Sequence, residues 1–241
     1  MNNVYINEEI CKEVVRRAYR LDFEAVYELL DDRPFFLAGG SLCGDLVHDF
    51  DLYPSPVVPF NNDAILDGVY KNPGEYKLLA KTRNAVTVKL LAKDQVVQFC
   101  SYQKPSLTEL VKSFDFSHIQ VGIEFTGDKE PPHADAVYYT DGFVLANVVR
   151  RTEYTGSEYP LSSLVRLFKY AKRDKLTRIG VARAAMKILK DVLDRGYENY
   201  DDFKSQIDAV DLGLPDMQEA FELYKTCAAK GLVEHTRYEG D

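Results

Sequence analysis

Phe35-Phe36-Leu37-Ala38 is an unbroken apolar run that stops at Gly39-Gly40-Ser41. A short apolar run bounded by glycines predicts a buried strand entering a tight turn. Glycine tolerates positive φ and lets another group approach the backbone closely. Ser41 to Val47 then predicts a short helix. Asp49-Phe50-Asp51-Leu52-Tyr53 alternates polar with apolar, the period of a strand that buries one face, and Pro54 and Pro56 end it.

Residues i and i+2 of a strand point to the same face, so Asp49 and Asp51 lie together opposite the buried Phe50 and Leu52. Two like charges on one face repel unless they are solvated or neutralised. A divalent cation neutralises them, and Mg²⁺ prefers carboxylate and phosphate oxygens. The backbone N–H groups of a Gly39-Gly40-Ser41 turn suit phosphate, a following helix would add its positive end, and Ser41 would add a hydroxyl.

Helical spacing predicts a helix over 7–31 with Asn7 as N-cap, including a stretch from Phe23 to Leu30. Residues 62–82 read as mainly helical with a turn at Asn72-Pro73-Gly74. Ala85–Leu91 and Gln95–Cys100 are strand-like, with Lys93-Asp94 as the hairpin. Ser106 with Glu109 three residues on is a capping-box pattern. Phe114–Phe125 reads as a strand and 126–133 as a polar loop. From Pro160 onward the chain predicts only helices: one bearing Leu161, Leu164, Val165, Phe168, Tyr170 and Ala171 on its apolar side, then 178–195, 200–209 and 215–230. The expected fold is α+β, a mixed-sheet catalytic domain over 1–155 followed by a helical domain over 156–241.

The 241 residues carry a net charge of −8, which argues against a sequence-independent coat for nucleic acid and leaves room for a local basic groove. Cys11, Cys43, Cys100 and Cys227 form no C-x-x-C pair and no zinc spacing, the pattern of reduced thiols. The N-terminus has no apolar h-region, and no apolar run approaches the roughly 20 residues that span a bilayer. A cytoplasmic protein with no membrane partner is expected. His48 and His118 read as structural, and Asp45 as an exposed helix residue. No Ser-His-Asp, Cys-His or H-E-x-x-H arrangement stands out.

A phosphate-binding turn, a short helix and a D-x-D strand, carried here by Gly39, Gly40, Ser41, Asp49 and Asp51, resemble the DNA polymerase β nucleotidyltransferase superfamily. That resemblance implies transfer of a nucleoside monophosphate from an NTP such as ATP to a hydroxyl, with two Mg²⁺ or Mn²⁺ ions held by three carboxylates. By order, the third would fall in Val96-Val97-Gln98-Phe99, where Gln98 carries no charge. Asp115, in Phe114-Asp115-Phe116, is the expected replacement. Tyr159 to Arg173 resembles the first helix after the catalytic domain in tRNA nucleotidyltransferases and poly(A) polymerases. Arg166, Lys169 and Arg173 share one face of it and would bind triphosphate; a solvated basic face is the plainer alternative. The whole is similar to small nucleotidyltransferase-like proteins of phage and bacteria, which would place it in the host cytoplasm if phage-encoded. An RNA 3′ end, tRNA above all, is the acceptor the resemblance favours. A small molecule, a protein hydroxyl, cyclic-nucleotide formation or an inactive binding module stay open.

Overall fold

The computed structural model describes residues 3–44, 49–57, 61–82, 84–126, 136–208 and 218–230. The expectations placed on Asp45, His48 and 127–133 lie outside these. The chain begins with helices α1 (Asn3–Ala18) and α2 (Phe23–Leu30) and strand β1 (Phe35–Ala38). A 3-10 turn at Gly40–Cys43 follows, then β2 (Asp49–Pro54), α3 (Asn62–Lys71), β3 (Tyr76–Lys81), β4 (Ala85–Leu90) and β5 (Gln95–Cys100). Next come α4 (Leu107–Lys112), a 3-10 turn at Ser117–Ile119, β6 (Val121–Phe125), β7 (Val137–Tyr139) and α5 (Asp141–Val148). The last third is α6 (Pro160–Lys172), α7 (Arg178–Arg195), α8 (Tyr200–Asp208) and α9 (Gln218–Ala229). The fold is therefore α+β: a mixed sheet followed by helices. No helix among the described residues is long and apolar enough to cross a membrane.

The sheet runs β3-β4-β5-β2-β1-β6-β7. Its β2–β5 pair is parallel and its other neighbours are antiparallel. One face packs under the three N-terminal helices: Val26, Leu30 and Ile65 join Leu37, Leu52, Val88, Val97 and Phe99 in one core. That core continues without a break past residue 155 to Leu167, Tyr170, Ile188 and Phe203. The other face is covered over only part of its width. There α4 sets Leu107, Leu110 and Val111 against Phe36 and Ala38. A Cβ on Gly122 would fall 2.7 Å from Leu107 and 3.1 Å from Val111, so glycine lets α4 sit this close.

Register makes the consequence plain. Gly122, Ala38, Asp51, Gln98 and Thr87 are successive cross-strand neighbours on this second face. Small residues lie where the helix covers the row, and polar ones where the row is open.

Several sequence expectations are corrected. Residues 7–31 form two helices rather than one, and the first begins at Asn3. The break is held by Gln95, whose amide oxygen accepts from the Asp22 N–H and whose amide nitrogen donates to the Arg20 carbonyl. Tyr76–Lys81, expected to be helical, is an edge strand because β4 pairs along it. Phe114–Phe125 is strand only from Val121; before that the chain makes a 3-10 turn. Of the helix expected over Ser41–Val47, the described part lies in a 3-10 turn, Gly40–Cys43, closed by Gly44 in the left-handed region, φ 83°, and residues 45–47 lie outside the described residues. Phe168, expected on the apolar side of α6, is exposed, whereas Leu161, Leu167 and Tyr170 are buried.

Candidate active site

The uncovered half of the second face is the floor of a cleft of about 610 Å³. β2 supplies Asp49, Asp51 and Tyr53, and β5 supplies Gln98 and Cys100. The turn after β1 supplies Gly39 and Gly40. The far wall is α6, through Val165, Arg166, Lys169, Tyr170 and Arg173. Asp115 lines it as well. Eight of the nine predicted site residues thus meet in one place. Ser41 does not: it is buried behind the turn, its hydroxyl unpartnered among the described residues.

Alternation places the carboxylates. Phe50 and Leu52 are buried in the core, and Asp49 and Asp51 project from the opposite face, the first exposed and the second partly buried. Gly39, at φ 90° and ψ −143°, turns the chain beside them. A Cβ there would stand 3.8 Å from the Asp51 Oδ2, so the turn and the carboxylate share one space. No hydrogen bond from a described side chain reaches either Asp49 or Asp51.

Burial pushes the Asp51 carboxyl up to about 6. Lys169 pulls against this, Asp49 adds to the rise, and Arg166 again opposes it. The two cations of α6 therefore act electrostatically on Asp51 across the cleft, as their predicted common face requires. Burial also raises the Cys100 thiol and the Tyr53 phenol well above their ordinary values, which keeps both neutral and leaves Cys100 a poor nucleophile.

Asp115 has partners on α6. It is buried, its Oδ2 accepts from the Ser163 hydroxyl at 2.7 Å, and the Arg166 Nε lies 2.9 Å from the same oxygen. That contact is an ion pair without an aligned hydrogen bond, since the buried Arg166 Nε–H has no acceptor in line. Among the described residues no three His, Cys, Asp or Glu side chains gather into a group that could hold a metal ion. Asp115 lines the same cleft as Asp49 and Asp51, with its carboxylate held by Ser163 and Arg166. The position next to Asp51 in register belongs to Gln98, whose amide donates to Thr87 on β4, the side away from Asp51.

No protein-family model matches the sequence, and no curated protein does. Among solved structures, the chain is similar to a CCA-adding enzyme of Thermotoga maritima complexed with tRNA, at 13% identity and a TM-score of 0.47 over 92% of this chain and 55% of that one. It is similar to a tRNA nucleotidyltransferase complexed with a primer tRNA and an incoming ATP analog, at 14% identity and a TM-score of 0.44 over 81% of this chain and 58% of that one. A CCA-adding enzyme with CTP gives 12% identity and a TM-score of 0.46 over 92% and 56%. The chain spans between 55% and 58% of the length of these structures. Likeness at this level leaves the chemistry to be read from the side chains in the cleft.

Those side chains include several that sequence reasoning passed over. Tyr53 continues the Asp49–Asp51 alternation and was open to that reading. Cys100 follows Gln98 by the same period, but only the parallel pairing of β5 with β2 brings it to the floor. Ser163, buried behind the cleft and tied to it only through Asp115, carried no signal at all, because that partner is remote in sequence.

The donor set fits a divalent cation bound together with a nucleotide. Two hard carboxylates stand on one face, one of them held above its usual range by burial and by the other. Mg²⁺ is commonly held by one or two carboxylates, with substrate phosphates and water filling its remaining positions.

Proposed function

We propose that this cleft is the active site of a metal-dependent nucleotidyltransferase, which moves a nucleoside monophosphate from an NTP to an acceptor hydroxyl. One observation carries the reading. Asp49 and Asp51 stand on one strand face without side-chain hydrogen-bond partners among the described residues, Asp51 lies beside the Gly39 turn, and Arg166 and Lys169 act on Asp51 from α6.

Asp49 and Asp51 would hold Mg²⁺ or Mn²⁺, which when bound would activate the attacking hydroxyl and neutralise the leaving pyrophosphate. The Gly39-Gly40 turn lets the triphosphate lie against the backbone without a side chain in the way. Lys169 and Arg173 supply positive charge at the open end of α6, and Arg166 supplies it from a fixed place beside Asp115. Asp115 positions Arg166, with Ser163 fixing the carboxylate in turn. The two-ion, three-carboxylate arrangement implied by the family resemblance would need a ligand outside the described residues.

An RNA 3′ hydroxyl is the acceptor we favour, on the resemblance of Tyr159–Arg173 to the corresponding helix of tRNA nucleotidyltransferases. A second reading, a nucleotide-binding module without turnover, draws on Gln98 standing beside Asp51 where a carboxylate would complete the set. The test is incubation of the pure protein with labelled NTPs, Mg²⁺ or Mn²⁺ and total RNA. Labelled RNA supports the favoured reading, and a small labelled product or labelled protein moves the acceptor to that class. NTP binding without any labelled product selects the binding module.

A further inference from the structure

A second cavity, of about 390 Å³, opens where residues 149–154 pass the start of α7. Arg150, Arg151, Arg183 and Lys187 line it, against a single acid, Glu153. Arg151 pairs with Glu153 at 3.1 Å, and the other three cations have no carboxylate partner among the described residues. On a chain with a net charge of −8, this is a concentration of positive charge in a concave place.

Two further observations concern the same cavity. It is lined by Thr177, Ile179 and Gly180 at the N-terminus of α7, an 18-residue helix. Thr177 caps the Gly180 N–H with its hydroxyl at 3.1 Å, and the first N–H groups of the helix have no intrahelical acceptor. The positive end of a long helix therefore meets the cationic side chains. Thr152 also lines the cavity. It is 6% exposed, and its hydroxyl has no hydrogen-bond partner among the described residues. A buried hydroxyl left unsatisfied costs free energy, so the wall of the cavity carries an unused donor beside its cations.

We propose that this cavity is a second binding site, distinct from the cleft and specific for phosphate groups. Apart from Glu153, which is paired with Arg151, its charged groups are donors: guanidinium, ammonium and the N–H groups of the helix end. The ligand is a phosphate-bearing molecule, either a free polyphosphate or a nucleic-acid backbone. The site does not depend on what the cleft does. The same stretch of chain goes on to line the cleft at Ser157, Glu158 and Tyr159. Arg151 and Ser157 are six positions apart, a span of at most about 20 Å even when fully extended. One strand of nucleic acid could therefore touch both places.

The test uses the full chain, with inorganic triphosphate and, separately, a single-stranded RNA dodecamer as probes. Binding is measured by calorimetry for wild type, for Arg183→Ala/Lys187→Ala and for the charge-keeping Arg183→Lys/Lys187→Arg. Arg183 and Lys187 are exposed, so both variants should melt as wild type does. Loss of one triphosphate site in the alanine variant, rescued in the charge-keeping one, supports the site with a free polyphosphate as ligand. A roughly ten- to hundredfold weaker RNA affinity with a shallower salt slope supports it with a backbone as ligand. Unchanged stoichiometry for triphosphate together with unchanged RNA affinity overturns the proposal.

Discussion

Asp51 concentrates the electrostatics of the cleft in one carboxyl. Its folded value, near 6, lies above its ordinary 3.8, chiefly through burial. For an acid raised in this way, the contribution to stability is present below about pH 4 and is lost as pH rises through 6. Asp51→Asn should therefore raise the metal-free melting temperature at pH 8 by a few degrees, since each kcal/mol is worth about 2–4 °C in a chain of this size. At pH 4 the two proteins should melt alike, and the variant should be inactive at any pH. Thermal melts at both pH values check this, and a destabilised variant at pH 8 would remove the burial argument. Asp115 calls for the opposite comparison. Asp115→Asn keeps an acceptor for the Ser163 hydroxyl but removes the charge that holds Arg166. NTP binding should weaken about tenfold, or about 1.4 kcal/mol, while Mn²⁺ affinity stays within a factor of about two. If Mn²⁺ binding fell as far as in Asp51→Asn, Asp115 would be a ligand after all.

At the scale of elements, the site depends on how closely α4 lies on β6. Ser113, Phe114 and Asp115 follow directly from that helix and line the cleft. Gly122→Val would push branched carbons into Leu107 and Val111, an overpacking that costs about 1–3 kcal/mol. A lower melting temperature and a higher KM for NTP should appear together, measured on the same preparation. A variant with wild-type stability and KM would mean that α4 shifts freely.

What the sequence disclosed follows the same division. Strand β1, the glycine turn and β2 were legible because their signals are local: an apolar run, glycines, strict alternation. The break between α1 and α2 was not, since no Gly or Pro marks it and the groups that hold it come from Gln95 on a distant strand. Tyr-Lys-Leu-Leu-Ala-Lys reads as helix by propensity, and pairing with β4 overrides it. Within the site, spacing alone put Asp49 and Asp51 on one strand face and the α6 cations on one helix face, while only the family resemblance suggested that this helix borders the site. The ties of Asp115 to Ser163 and Arg166 needed the loop after α4 to be brought against α6, which no local pattern records.

For the molecule as a whole, the cleft joins the sheet to the helical part, and one core runs beneath both. A ligand held by the Gly39-Gly40 turn and α6 together should stabilise the entire fold. With NTP and Mg²⁺ at a hundred times the dissociation constant, linkage gives about 2.7 kcal/mol, seen as a single melting transition moved upward. EDTA should abolish most of that shift. A shift that survives EDTA unchanged would mean the nucleotide binds without metal.

The parallel pairing of β2 with β5 also bears on how the protein acquires activity over time. Hairpins such as β4–β5 close locally, but β2 can find β5 only after α3, β3 and β4 have been laid down between them. Such long-range pairing is slow, because loop closure must precede its reward. Asp51 meets Gln98 through that pairing, so the floor of the cleft is assembled by the late step of sheet formation. After dilution from denaturant, far-ultraviolet ellipticity should recover first and NTP binding later, in a separate phase. Substitutions that weaken the β4–β5 hairpin should then lower the fraction of chains that become competent while leaving the turnover of each competent chain intact. Coincident recovery of the two signals would show that the crossover closes with the rest.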